Sequence, residues 1–468
     1  MDGKKVGFAL ALVASGCSTV DREAAIDRIH ADVSDRAALS VDWDAERRGN
    51  EAIEKLVTEK LSGEMTADDA VAVSLLKSPK LRALYRELGV AASDLVAAGL
   101  PENPVFLVQR RFPGQAAEYD VTQEFMSVFL IPLRRRLAES QFERERLRVT
   151  SELVNHTADV RSAYFRLQAA EQTVEMRRTV AAATDASLEA ARALRNAGNA
   201  NRLSLASEEL SAGRAKLDLA DAELEEAAGR ERLNVLLGLW GEETRWHIQP
   251  RLPEPPEHEV SPDDLEKQAI SGRLDLASLR AEIEALAQSQ RLTTITTLIP
   301  SLELTAHTEI EPEGKTTSGP SLSFPFAIFN RGQAARARAK EMLLEAEDRY
   351  AALAIEIRSE VRASFARMAL TRKKAEFYKR DVLPVQQTVT QQTQLQYNGM
   401  FIGVFGLLQA RQAQIDAGRD YIQSVADYWL ARTELEKALG RRLPTGELRP
   451  VSVGDPESKP IMHHHHGG

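Results

Sequence analysis

From Leu133 to Ala197 the chain carries neither glycine nor proline. Read as one helix, those 65 residues extend about 98 Å at 1.5 Å per residue. A helix of that length cannot fold back into a globule. It must run in a coiled coil or in a palisade of parallel neighbours. A second run, from about Ala334 to Tyr397, is interrupted only by Pro384. The Ala-rich, Leu-poor stretch VAAATDASLEAARALRNAG (180–198) suits close helix approach on two flanks and not a simple two-helix leucine seam.

The two long runs belong to an internal repeat. ADVRSAYFRLQ (158–168) aligns with SEVRASFARMA (359–369), 201 positions later, and RNAGN (195–199) aligns with QYNGM (396–400) at the same offset. ERLNVLLG (231–238) faces TELEKALG (433–440), and TADDAVAVSLLKSPKLRALYRE (66–87) faces SPDDLEKQAISGRLDLASLRAE (261–282). The chain therefore reads as segments 1–17, 18–65, a first repeat 66–248, a Pro-rich linker 249–260, a second repeat 261–440 and a tail 441–468. Each repeat is expected to open with a helix of about 30 residues, capped at TADD or SPDD by an N-cap residue and first-turn acids. Two strands, a very long helix, a glycine-bearing break and another long helix follow.

The strands are two-faced. In SLELTAHTEI, Leu302, Leu304, Ala306, Thr308 and Ile310 alternate with Ser301, Glu303, Thr305, His307 and Glu309. In SLSFPFAI, Leu322, Phe324 and Phe326 alternate with Ser321, Ser323 and Pro325. NPVFLVQRR and YDVTQEFMSVFLI supply the first repeat's pair, with Tyr119, Val121, Phe125, Phe129 and Ile131 expected on one face. Such strands fit a membrane barrel with lipid outside and water within. Four strands cannot close one, and an open sheet in lipid leaves unpaired edges. Several chains must share a barrel: three give twelve strands, two give eight.

The start of the chain supplies an address. Lys4 and Lys5 precede an apolar run, and Ala14-Ser15-Gly16 lead to Cys17, the single cysteine. A basic region, an apolar stretch too short to span a bilayer and small residues before a cleavage point make a secretory signal. The small residues before Cys17 resemble the lipobox of bacterial lipoproteins, which implies a covalent lipid on Cys17 as the only non-protein group. With 60 Lys+Arg against 69 Asp+Glu, no net basic field exists to hold nucleic acid. No nucleophile–base pair, Gly-rich phosphate loop or metal-ligand spacing marks an enzyme.

SLLKSPKLRALYRELGVAASDLVAAGLPENP (74–104) and GPSLSFPFAIFNRGQAARARA (319–339) resemble the helix-to-strand and strand-to-helix signatures of the TolC-like outer-membrane efflux proteins. LIPLRRRLAES (130–140) is a weaker version with arginines where that family has glycine. The resemblance covers about 60–440. It implies a mainly α fold with a membrane β-barrel: a homotrimer whose twelve-stranded barrel in the outer membrane of a Gram-negative bacterium continues as a twelve-helix periplasmic tube. It also implies outer-membrane lipid around the barrel, a periplasmic adaptor (membrane fusion protein) and an inner-membrane pump of the RND or a similar type, so that the chain is a passive conduit and not an enzyme. By the same resemblance the helix breaks are tips that face the adaptor, with Gly198, Asn201, Leu203, Ser204, Gly399 and Phe401 as contact residues. Gly198 and Gly399 are expected as C-cap glycines. Phe405 and Leu408 stand where relatives place gate aspartates, so a hydrophobic gate is expected there. Glu208 and Glu209 either add charge to the gate or lie on a solvated helix face, and Arg411 is a candidate cross-link between helix pairs. Glu303, His307 and Glu309 are expected in the barrel lumen by alternation, where they suggest a cation-tolerant pore and not a metal site. His463, His464, His465 and His466 can bind metal if the tail is native, and the cargo stays open between heavy-metal cations and organic compounds. The alternatives are a non-transporting periplasmic coiled-coil lipoprotein and a type I protein secretion channel.

Overall fold

The computed structural model describes residues 22–112, 116–298, 301–325 and 328–444. Cys17, Phe326 and His463 to His466 lie outside them. In chain order the elements are α1 (Arg22–Ala37), α2 (Asp44–Arg48), α3 (Asn50–Leu61), β1 (Glu64–Met65), α4 (Ala67–Lys77), α5 (Pro79–Ala98), β2 (Val105–Arg111), β3 (Ala116–Glu124), α6 (Met126–Asn196) and α7 (Arg202–Leu237). There follow β4 (His247–Ile248), α8 (Leu265–Gly272), α9 (Leu274–Leu298), β5 (Glu303–Ile310), β6 (Thr316–Ser323), α10 (Gln333–Phe377), α11 (Leu383–Asn398) and α12 (Val404–Leu439). The order helix pair, strand pair, long helix, long helix occurs twice. Two compact units result, one holding 22–28, 85–148 and 277–350, the other 29–84, 149–276 and 351–444. The chain passes between them within α1, α5, α6, α9 and α10.

The first unit contains an antiparallel sheet in the order β2-β3-β5-β6. Strand β3 is shorter than its sequence pattern suggests, because α6 begins at Met126. The Glu124 carboxylate accepts from the backbone N–H groups of Met126 (2.9 Å), Ser127 and Leu302 (2.9 Å). An acidic acceptor at a helix N-terminus satisfies donors that have no partner within the helix. Phe125, Phe129 and Ile131 therefore leave the strand face, and Pro132 sits inside the helix.

In the second unit each opening helix is two helices, where the sequence suggested one. Pro79 has no N–H and keeps Ser78 extended (φ −61°, ψ 120°), so α4 stops there. Gly238, left-handed at φ +74°, ends α7 against this break; a Cβ on it would lie 2.8 Å from Pro79 Cδ. The second repeat makes the same joint without proline. Arg273 is extended between α8 and α9, its guanidinium is held by Asp275 at 2.6 Å, and Gly440 (φ +68°) ends α12 beside it. Thr66 caps α4 with a capping box to Asp69, but SPDD does not repeat it. There the N-cap is Asp264, itself left-handed (φ +64°) and making no side-chain cap.

Burial separates the repeats. In α6, Val149, Leu153, Val160, Tyr164 and Leu167 are at most 1% exposed. Phe165 stacks on Trp429 at 5.0 Å, and His156 accepts or donates to Ser74 Oγ at 2.6 Å in the core. Burial pushes the His156 pKa down. In α10 only a single line is covered, with Ala346, Ile357, Val361, Ser364, Met368 and Ala375 buried. Polar anchors hold the second unit together. Arg36 donates to the carbonyls of Gly272 (2.6 Å) and Gly440 (3.2 Å), and Arg161 donates to that of Ala37 (2.9 Å). The Pro-rich segment is docked and not free: Trp429 Nε1 donates to Pro253 O at 2.6 Å, and Gln168 donates to the carbonyls of Gln249 and Arg251. A cavity of ≈ 340 Å³ beside it is lined by Arg161, Gln168, Trp429, Arg432 and Glu436. Arg432 donates to Glu436 at 2.8 Å; burial pushes the Glu436 carboxyl up even so.

Candidate functional sites

The sheet has two chemically distinct faces, fixed by register. Across one face run Phe106, Val121, Ala306 and Pro320, then Val108, Tyr119, Thr308 and Ser318. Phe106 and Val108 are about 70% exposed, and Tyr119, Val121, Leu304 and Leu322 are also exposed. Across the other face run Gln109, Glu118, Glu309 and Thr317, then Leu107, Asp120, His307 and Gly319, with Glu124 opposite Glu303 farther along. Glu303, His307 and Glu309 thus share one face, the polar one, and are half-buried in the protomer. His307 Nδ1 lies 2.5 Å from Asp120 Oδ1, and Arg111 pairs with Glu118 at 2.5 Å. The first repeat's contribution to this face, Glu118 and Asp120, was not singled out from sequence, although YDVTQE alternates visibly. Neither outer edge of the sheet, on β2 or β6, has a partner strand among the described residues.

Both helix breaks in the second unit form exposed tips. At the first, Gly198 takes φ +78° and Asn199 N–H donates to Leu194 O at 2.8 Å. Asn201 then caps α7 by accepting from the Ser204 N–H at 2.8 Å, and Leu203 projects 69% exposed. At the second tip the left-handed residue is Met400 (φ +60°), not Gly399 (φ −79°). A Cβ on Gly399 would meet only the outer edge of the Phe401 ring at 2.8 Å, an exposed side chain that can turn aside. Met400 and Phe401 are 93% and 84% exposed, so the tips present an apolar surface.

Beyond the tips, Phe405 is exposed and Leu408 half-buried on the first turns of α12. Glu208 departs from the solvated-face reading, being 4% exposed with one carboxylate oxygen unpartnered. Its neighbour Glu209 is the solvated one, 3.8 Å from Arg192. Arg411 donates to Gln394 Oε1 at 2.8 Å, bridging α12 to α11 within one helix pair. A feature missed in sequence lies on α7. Leu203, Leu210, Leu217 and Leu224 recur every seven residues, each 69–74% exposed. A seven-residue apolar repeat on a helix is a coiled-coil seam, and the leucine spacing alone reveals it. Leu370, Phe377 and Val385 make a second exposed ridge on α10 and α11, at 59–66%.

Comparison with known proteins agrees with these features. Residues 265–441 match the family described as outer membrane efflux protein. No curated protein sequence matches the chain. Among solved structures, the Campylobacter jejuni CmeC outer membrane channel is similar at a TM-score of 0.69 and 14% identity, over 80% of this chain and 85% of that one. The outer-membrane channel OprN is similar at 0.67 and 17%, over 87% and 93%. The open state of the Neisseria gonorrhoeae MtrE outer membrane channel is similar at 0.64 and 16%, over 81% and 91%. Identities this low establish the fold, and the duplicated strand-and-long-helix architecture is theirs. Among the described residues no helix is long and apolar enough to cross a membrane.

Proposed function

We propose that this chain, which has the fold of solved outer-membrane channels and matches the outer membrane efflux protein family over residues 265–441, is the outer-membrane channel of a tripartite efflux pump. The observation that carries this reading is the four-stranded sheet, apolar on one face, polar on the other and unpaired at both edges. In lipid the unpaired edges of such a sheet are not tolerated, and in water its edges and apolar face favour association with further copies. Three copies joined edge to edge make a twelve-stranded barrel with Phe106, Val108, Tyr119 and Val121 toward lipid. Glu118, Asp120, Glu303, His307 and Glu309 then face the lumen, where their charge favours cations.

The helices support the same assembly. Burying a leucine contributes about 1.5–3 kcal/mol, so covering the four mostly exposed leucines of α7 is worth on the order of 4–8 kcal/mol per protomer interface. The ridge on α10 and α11 in the next copy is the complementary surface. The exposed apolar tips at Leu203, Met400 and Phe401 serve as the adaptor contact, and Phe405 with Leu408 forms a constriction able to gate by dewetting. Transport energy comes from an inner-membrane pump, and the chain itself is a passive conduit for small solutes, heavy-metal cations or organic compounds. A lipid on Cys17 tethers each protomer to the outer membrane.

Reconstitution in planar bilayers tests the proposal. Purified trimers are expected to conduct, with cations preferred, and Phe405→Ala is expected to raise the open fraction without loss of assembly. A soluble, monomeric and non-conducting protein would instead fit a periplasmic scaffold.

A further inference from the structure

We infer that Glu118, Asp120 and His307 form a binding site for one divalent transition-metal cation per protomer, on the polar face of the sheet. The three ligand atoms lie within 4.8 Å of one another. Strand register places them: Asp120 stands directly opposite His307, and Glu118 is the next residue along that face of β3. His307 Nδ1 is 2.5 Å from Asp120 Oδ1 and 3.6 Å from Glu118 Oε1. Donors around a tetrahedral ion at roughly 2.1 Å stand about 3.4 Å apart, so small side-chain rotations bring all three onto one cation. The cation would take the place of the proton shared between His307 and Asp120.

Two surrounding features favour a site over a simple hydrogen-bonded pair. Arg111 Nη2 binds Glu118 through its other oxygen, Oε2. That contact holds the carboxylate in place and leaves Oε1 directed at His307, the part an outer partner plays in metal sites. On β6 the residue opposite His307 is Gly319, and nothing lies within 4 Å of where its Cβ would stand. The approach is therefore open, and water can complete the coordination. One imidazole with two carboxylates suits zinc, copper, nickel or cobalt better than magnesium or calcium, which prefer all-oxygen sets. Three protein ligands leave exchangeable positions, as a transit site requires. Only the placement of the site in a lumen rests on the channel reading; the binding does not.

The test uses the full-length protein in detergent, with His463→Ala, His464→Ala, His465→Ala and His466→Ala so that the tail takes no metal. Titration with Co²⁺, read by its visible absorption and by Zn²⁺ competition, is expected to saturate at one ion per chain. His307→Ala and Asp120→Asn should each weaken binding at least roughly tenfold. Glu303→Gln, on the same face but outside the cluster, should leave it unchanged. His307→Gln serves as a second variant if His307→Ala assembles poorly. No saturable binding, or equal binding with and without His307, overturns the site. A protein that conducts but does not bind sinks this inference alone. One that binds but does not conduct keeps the site and sinks the channel.

Discussion

Gly198 and Gly238 both hold left-handed backbone, at φ +78° and +74°, but in different surroundings. Nothing lies within 4 Å of a Cβ on Gly198, whereas one on Gly238 would meet Pro79 Cδ at 2.8 Å and Ser78 Cα at 3.0 Å. Gly198→Ala should therefore cost only the backbone term of about 1–2 kcal/mol. Gly238→Ala adds an overlap with backbone that cannot move aside, and should cost roughly 3–5 kcal/mol. Thermal unfolding of the two variants side by side checks this; equal losses would mean that the joint between α7 and the Ser78–Pro79 break is not rigid. Sequence could mark Gly198 as a turn residue because it follows a long periodic run. It could not show that Met400 and not Gly399 takes the left-handed backbone, or that Glu208 is buried and Glu209 solvated, because adjacent positions differ only in which neighbour they meet.

A proline normally breaks a helix by removing an N–H and crowding the carbonyl four residues back. Here a π turn over Tyr378–Val382 precedes Pro384, and α10 continues into α11 without a chain reversal. The turn also corrects phase. Leu370 to Phe377 is a step of seven residues and Phe377 to Val385 is one of eight. A π turn advances less rotation per residue, so the extra residue is absorbed and Val385 returns to the exposed ridge. On α7 the matching leucines need no correction. Leu210→Asp combined with Leu217→Asp should leave the protomer folded, since both side chains are exposed in it, while trimers are lost. Native mass or sedimentation analysis reads this directly, and trimers persisting at wild-type stability would exclude the α7 seam from the interface. Element positions were legible from periodicity. The break at Ser78 is written in the Pro79 that follows it, but the break at Arg273 and the early start of α6 were not legible, since packing against Gly440 and capping by Glu124 decided them.

At the scale of the whole molecule the sheet edges are decisive. β2 and β6 stand three strand spacings apart in the order β2-β3-β5-β6, about 14 Å, beyond the reach of a disulfide within one chain. In a Cys17→Ser background, Val108→Cys paired with Thr316→Cys, Ser318→Cys or Pro320→Cys, all on the face that carries Val108, can cross-link only between copies. At least one pair is expected to yield covalent dimers and trimers on non-reducing gels. Chains that stay monomeric across the panel would rule out a barrel closed by β2 against β6.

The sequence by itself determined the duplication, the strand alternation and the long helices, because each is a local period that any packing must respect. It determined too that four strands are too few to close a barrel. Only the tertiary structure decided which residues of different repeats meet. Asp120 came to stand opposite His307, 187 residues away, because β3 pairs with β5 in one register and no other. A shift of one residue would have turned every side chain of β5 to the other face.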